Sequence, residues 1–323
     1  MKLIIHIPCY NEEKTLPLTY RDLPQKIDGI DQIEVLVTDD GSTDQTARVA
    51  KEIGVDYIIQ NDVNKGLAAT FRKGINACLE RGADIIVNTD ADNQYYGADI
   101  EKLVKPILEK KAEVVIGERP ISEIKHFSFA KKILQKLGSW VVRVVSGTKV
   151  PDAPSGFRAY SREAAMRMNV ISNFSYTLET VIQAGHNGFK IISVPIRTNP
   201  ELRKSRLLKS IPSYVKKSAS TILRIGAFYN PLQMFFLLGS VFFVTGLALS
   251  ARVLVLALAY GHSFKEHLPS TVIGGSAVAI GIIIYVVGLL ADVINHNRKL
   301  SEEILFRLKS HEFDGLTKDT KQE

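Results

Sequence analysis

Short apolar runs, each stopped by a turn-forming or acidic residue, alternate with amphipathic stretches over the first two thirds of the chain. The runs are Lys2–Ile7 before Pro8, Ile33–Val37 before Asp39-Asp40-Gly41, Tyr57–Ile59, Ile85–Asn88 before Asp90, Val114–Ile116 before Gly117, and Lys190–Val194 before Pro195. Helical periodicity fills the intervals at Glu12–Asp22, Gln45–Ile53, Leu67–Arg81 and Ile100–Lys110. Strand–helix alternation of this kind predicts an α/β fold: a mainly parallel sheet with helices on both faces. In such sheets ligands bind beyond the carboxyl ends of the strands.

The pattern changes near residue 230. Met234–Ala251 is 18 residues without a charge, and Thr271–Ala291 is 21. At 1.5 Å per residue each reaches about 27–32 Å, enough for the hydrocarbon layer of a bilayer. Two transmembrane helices are expected, at about 231–259 and 270–292, with Arg252 either snorkelling to an interface or ending the first span early. The alternative is a pair of core helices, but both segments are apolar on every face.

Charge refines this picture. The net charge of +7 admits nucleic acid or an anionic membrane as partner, and its location decides between them. Arg203, Lys204, Arg206, Lys209, Lys216, Lys217 and Arg224 precede the first span without an intervening acid, and Arg298, Lys299, Arg307 and Lys309 follow the second. The loop between the spans has only Lys265. The excess therefore flanks the membrane, which argues against nucleic acid and places both termini in the cytoplasm. Phe129–Ser146 and Leu207–Ile225 interleave lysines with bulky apolar residues and are expected to lie on an anionic leaflet. Surface helices packed on the sheet are the other reading. The expected division is a cytoplasmic domain over 1–200, interface helices over 201–229, the hairpin over 230–294 and a cytoplasmic tail over 295–323, frayed at its end. Leu3–Ile7 is too short for a signal peptide. Cys9 and Cys78 form no CxxC, and two thiols fit a reducing compartment.

Candidate chemistry sits where the strands end. Pro8-Cys9-Tyr10-Asn11-Glu12-Glu13 follows the first, Asp39-Asp40-Gly41-Ser42-Thr43-Asp44 the second, Asp90-Ala91-Asp92-Asn93-Gln94 the fourth and Gly117-Glu118-Arg119 the fifth. So many neighbouring carboxylates repel each other unless a cation sits among them, and a divalent ion with a nucleoside diphosphate resolves the conflict. Asp90 and Asp92, at i and i+2 past a strand, can reach one hard cation, with Gln94 as a further oxygen donor. The same acids could be a solvated turn capping the next helix. Asp39 is suited to a nucleobase or ribose, whereas Ser42 and Asp44 are better explained as helix caps. Asn64-Lys65-Gly66 can be a helix start and nothing more.

Taken in order, IPCYNEE, VTDDGSTD, NKGLAATFRKG, NTDADNQ, GER and DAPSGFRAYSREA resemble a family 2 glycosyltransferase of the GT-A fold. With two C-terminal spans, the chain most resembles the polyprenyl-phosphate glycosyltransferases, a group that includes the dolichol-phosphate mannose synthases. The resemblance implies transfer of one sugar from a UDP- or GDP-sugar to a polyprenyl phosphate, with a metal (Mg²⁺ or Mn²⁺) and with inversion. It implies that Pro8, Tyr10, Glu12, Asp39 and Asp90 hold the nucleotide, and that Asp90, Asp92 and Gln94 bind the metal. Arg119 would meet phosphate. Asp152, beside Gly156, Phe157 and Arg158, would lie at the reaction centre, giving Asp152, Arg119 and Asp92 as catalytic candidates. An Arg–Asp pair fixing a glycine-containing loop is the plainer reading of that stretch. The acceptor-phosphate candidates are Arg119, Lys131, Lys132, Arg203 and Arg206. The chain departs from the group in having DADNQ for DADLQ, and Arg203-Lys204-Ser205-Arg206 where RxxGESK is usual. It also lacks the QxxRW of processive synthases. A hydroxyl acceptor and a non-catalytic membrane scaffold are the rival functions, and a homo-oligomer stays open.

Overall fold

The protein is described from a computed structural model, covering residues 1–120, 138–140, 142–143, 146–171, 176–200, 202, 229–261, 263 and 265–319. The chain divides into two units, Met1–Ile222 with Leu305–Glu323, and Leu223–Ile304.

In the first unit the strands are β1 (Lys2–Cys9), β2 (Gln32–Asp39), β3 (Tyr57–Gln60), β4 (Ile85–Asn88), β5 (Val114–Glu118), β6 (Arg158–Ser161) and β7 (Ile191–Pro195). They form one sheet in the order β3-β2-β1-β4-β6-β5-β7. All pairings are parallel except those of β6, which runs antiparallel to both β4 and β5. The helices are α1 (Leu16–Arg21), α2 (Thr46–Glu52), α3 (Leu67–Glu80), α4 (Ile100–Leu108), α5 (Arg162–Arg167) and α6 (Tyr176–His186). The strands and helices expected in the α/β part are present, but α1 is shorter than the predicted Glu12–Asp22, because Asn11 takes a left-handed conformation and the chain then turns at Glu12–Thr15. Of the two expected interface helices, 207–225 lies wholly and 129–146 mostly outside the described residues. Among the described residues, β6, α5 and α6 were not predicted.

The two faces of β1 differ. Leu3, Ile5 and Ile7 join a core with Ile100, Leu103, Val104 and Ile107 of α4. His6 points to the other face, where α3 approaches so closely that a Cβ on Gly74 would lie 1.9 Å from its Nε2. His6 sits in a buried polar chain. Its Nδ1 lies 2.9 Å from Asn88 Oδ1 and its Nε2 lies 3.1 Å from the Thr38 hydroxyl. Burial lowers its pKa to about 4, so the ring is neutral, donating through Nδ1 and accepting at Nε2.

In the second unit, α7 (Pro231–Tyr260) and the hairpin part of α8 (Leu268–Asp319) are long and apolar enough to cross a membrane, with only 11% of each most apolar window buried. They are closely packed on each other. A Cβ on Gly246 would lie 2.7 Å from the Gly274 carbonyl, and Ser240 hydrogen-bonds Tyr285 at 2.9 Å. Small residues at such a crossing let two backbones approach. α7 continues through Arg252 rather than ending there. Residues 320–323 of the tail expected to fray lie outside the described residues. α8 continues beyond the hairpin to Asp319, helped by an Arg298–Glu302 pair one turn apart. Its last turns group with the first unit, where the Arg167 guanidinium lies 3.7 Å from the Phe306 ring centroid.

Candidate active site

Parallel pairing brings the ends of β1, β2 and β4 to one edge. The loops after β1 and β2 are stitched together. Asn11 Oδ1 accepts from the Thr43 N–H at 2.8 Å, the Asn11 N–H donates to the Ser42 hydroxyl at 2.8 Å, and the Glu12 N–H donates to Thr46 Oγ1 at 2.7 Å. Tyr10 is exposed beside Pro8, while Glu12 is buried and accepts from Thr15 Oγ1 at 2.5 Å. Asp39 is also buried, its Oδ1 held by the backbone and hydroxyl of Ser42 and its Oδ2 by Gln60 at 3.4 Å. Ser42 is thus a bridge between two loops, not the helix cap expected from sequence, whereas Asp44 accepts from the Thr46 N–H at the start of α2. Asp40, given no role of its own from the sequence, anchors the Asn64–Gly66 stretch: its carboxylate accepts from the N–H groups of Lys65 and Gly66, both at 2.8 Å.

The loop bearing Asp90, Asp92 and Gln94 follows β4 and is fixed from three sides. The Thr19 hydroxyl of α1 donates to the Ala91 carbonyl at 3.1 Å, and Asn93, left-handed at φ 54°, donates to Asp22 at 3.1 Å. Tyr95 stacks on Phe157 at 4.9 Å, and its hydroxyl accepts from the Gly156 N–H at 3.0 Å. Segment 197–199 covers the remaining side, with a bridge between Tyr95 and Thr198. Gly156 leaves room beside Asp90, because a Cβ there would come 3.0 Å from both Asp90 carboxylate oxygens. Burial, and then the Asp90 charge, raise the pKa of both Tyr95 and Tyr176, so these phenols stay neutral.

Asp152 is 1% exposed and is gripped by Arg119, whose Nε and Nη2 reach its two oxygens at 2.7 and 2.9 Å. Burial opposes the Arg119 charge, but Asp152, with Tyr95 and Asp90 behind it, outweighs that and raises its pKa. The Arg–Asp pair that fixes the loop is therefore Arg119–Asp152. Arg158 is fully buried on other partners, donating to the carbonyls of Ser155 and Ala153 and to the Thr180 hydroxyl at 2.6–2.7 Å. Lys131, Lys132, Arg203 and Arg206 lie outside the described residues.

Among the described residues no group of three or more His, Cys, Asp or Glu side chains is assembled for a metal. Asp90 and Asp92 can supply two hard oxygen donors from one turn. That set fits a Mg²⁺- or Mn²⁺-like cation completed by phosphate oxygens and water, rather than an all-protein cage.

The sequence profile of glycosyl transferase family 2 matches residues 4–168, just over half of the chain. The chain belongs to glycosyl transferase family 2. This transferase is 27% identical to the polyprenol monophosphomannose synthase of Mycolicibacterium smegmatis, over 64% of this chain and 81% of that protein. It is 30% identical to the UDP-N-acetylglucosamine–dolichyl-phosphate N-acetylglucosaminyltransferase of Methanococcus voltae, over 59% and 83%. Its fold is that of glucosyl-3-phosphoglycerate synthase from Mycobacterium tuberculosis, crystallised with Mn²⁺, UDP and phosphoglyceric acid. The TM-score is 0.56 at 18% identity, covering 70% of this chain and 78% of that one. The transferase thus has the GT-A architecture expected from its motifs.

Proposed function

We propose that this transferase moves one sugar from a UDP- or GDP-sugar to a polyprenyl phosphate at the cytoplasmic face of a membrane, with inversion at the anomeric carbon. The observation that carries the acceptor class is the Arg119 grip on Asp152. Both carboxylate oxygens already accept hydrogen bonds from the guanidinium, so this buried acid, paired with the residue that follows β5, is built to orient. A hydroxyl acceptor needs a base, whereas a phosphate monoester, with a second pKa near ~6, arrives as an anion. The names of the two relatives and the two apolar helices support the same acceptor class.

In this reading Pro8, Tyr10, Glu12 and Asp39 frame the nucleoside. Asp90 and Asp92, with Gln94 adjacent, hold the divalent ion, which supplies Lewis-acid stabilisation of the leaving diphosphate. An oxygen of the acceptor phosphate forms a bond to the anomeric carbon from the back. The bond to the β-phosphate oxygen breaks, and the nucleoside diphosphate leaves with the electron pair. Arg119 serves Asp152 first and can meet phosphate only through donors that Asp152 leaves unused. Lys131, Lys132, Arg203 and Arg206 supply the remaining positive charge for the acceptor.

The test offers the purified full-length chain a panel of UDP- and GDP-sugars with either undecaprenyl phosphate or undecaprenol. Glycosylation of the phosphate alone is expected. Product on the alcohol alone, with a rate that requires one ionised carboxylate, would overturn the proposal.

A further inference from the structure

Segment 197–199 reaches the loop of Asp90 and Asp92 from beyond β7, more than a hundred residues along the chain. Three successive carbonyls of that loop accept hydrogen bonds from one residue, Asn199. Its side-chain amide donates to the Asn93 carbonyl at 3.0 Å and to the Tyr95 carbonyl at 3.3 Å, and its backbone N–H donates to the Gln94 carbonyl at 2.8 Å. The amide also lies 3.5 Å from Asn93 Oδ1. The Asn93 carbonyl and the Gln94 N–H belong to the same peptide plane, which is rigid. That Gln94 N–H donates to Asp92 Oδ1 at 3.3 Å. One planar unit therefore links the Asn199 amide to the Asp92 carboxylate.

The segment is itself secured. The Arg197 N–H donates to Asp99 Oδ2 at 2.7 Å, its guanidinium pairs with Asp99 at 2.6 Å, and the same group lies over the Tyr96 ring at 3.9 Å. The Asp99 side chain is fully buried. Arg197 thus fastens the strap two residues before Asn199, which sets its amide against the loop.

We propose that Asn199 is a positioning residue that sets the Asp92 carboxylate for the divalent ion. This inference rests on the reading of Asp90 and Asp92 as the cation's ligands. Groups that orient a metal-bound carboxylate commonly change metal affinity by about 10–100-fold. Asn199→Ala removes the side-chain donors and keeps the backbone one. Asn199→Asp keeps the shape but turns an oxygen toward carbonyl oxygens.

The experiment titrates Mn²⁺ into the full-length protein by electron paramagnetic resonance, without acceptor and without turnover, in the presence of UDP or GDP. Both Asn199 variants are expected to bind Mn²⁺ about tenfold or more weakly, with metal-free melting unchanged, and Asp92→Asn is expected to lose the bound signal. Mn²⁺ binding at the wild-type level in both Asn199 variants, with Asp92→Asn defective, would overturn the positioning role and leave the cation site standing. Weakened Mn²⁺ binding accompanied by an equal loss of metal-free stability would make Asn199 a general brace and overturn it as well. Wild-type binding in Asp92→Asn would remove the cation reading, and this inference with it.

Discussion

Two buried groups show how single residues are put to different ends. Asp152 is held at 1% exposure by Arg119, which meets both its oxygens in a two-point pair. A buried pair adds little net stability, but removing one partner strands the other and costs about 3–5 kcal/mol. Asp152→Asn keeps the shape and weakens the pair. Its expected effect is a fall in kcat of about 10²-fold with the protein still folded, measured by initial rates alongside a melting curve. His6 has the opposite character, a neutral ring inside the sheet with its pKa lowered to about 4. The unfolded chain would protonate it near ~6.5. Between these values the unfolded state binds more protons, so stability falls as the pH drops from about 6.5 to about 4, by on the order of 3 kcal/mol. Melting curves of the wild type and His6→Asn at pH 7.5 and 5 check this. The wild type should lose more stability on acidification than the variant.

At the scale of elements, the decisive feature is the loop after β4, clamped between α1, the Gly156 turn and the strap. Gly97 closes that loop where a Cβ would lie 2.2 Å from the Asp22 backbone carbonyl. A backbone atom cannot swing aside, so Gly97→Ala is expected to cost about 1–3 kcal/mol and to lower activity as the loop shifts. Chemical unfolding and initial rates measure the two effects. The acids of this loop were legible in the sequence because an apolar strand stops beside them. The strap was not, because Arg197 and Asn199 carry no local pattern and find their partners only through the fold. β6 escaped for a related reason. It is four residues long and opens with Arg158, whose burial is possible only because the carbonyls of Ala153 and Ser155 and the Thr180 hydroxyl accept its hydrogen bonds. α6 is buried on every face from Tyr176 to Ala184, with Thr177, Glu179, Thr180 and Gln183 among the buried residues. Gln183, for example, is satisfied by the Asn169 backbone at 2.6 and 2.9 Å. Tertiary hydrogen bonds override the helical hydrophobic pattern there.

For the whole molecule, the proposed reaction ties the apolar hairpin to the strand-end acids, since a lipid-linked phosphate would stay in the membrane while its donor is soluble. In the proposed orientation, read from the lysine and arginine asymmetry around α7 and α8, the catalytic domain and the C-terminus lie on the cytoplasmic side. A green fluorescent protein fused after Glu323 is expected to fluoresce, and alkaline phosphatase inserted at residue 263 is expected to be active. The reverse result would place the strand-end acids on the wrong side for a nucleotide sugar. The central claim is that the acids beyond β4, through a bound cation, drive transfer of one sugar to a lipid phosphate. Mass spectrometry of polyprenyl phosphate incubated with the purified chain, nucleotide sugars and Mn²⁺ tests it most directly. The account predicts a gain of a single sugar residue that vanishes with Asp92→Asn and with a chelator. The same product at the wild-type rate under both of those conditions would contradict it.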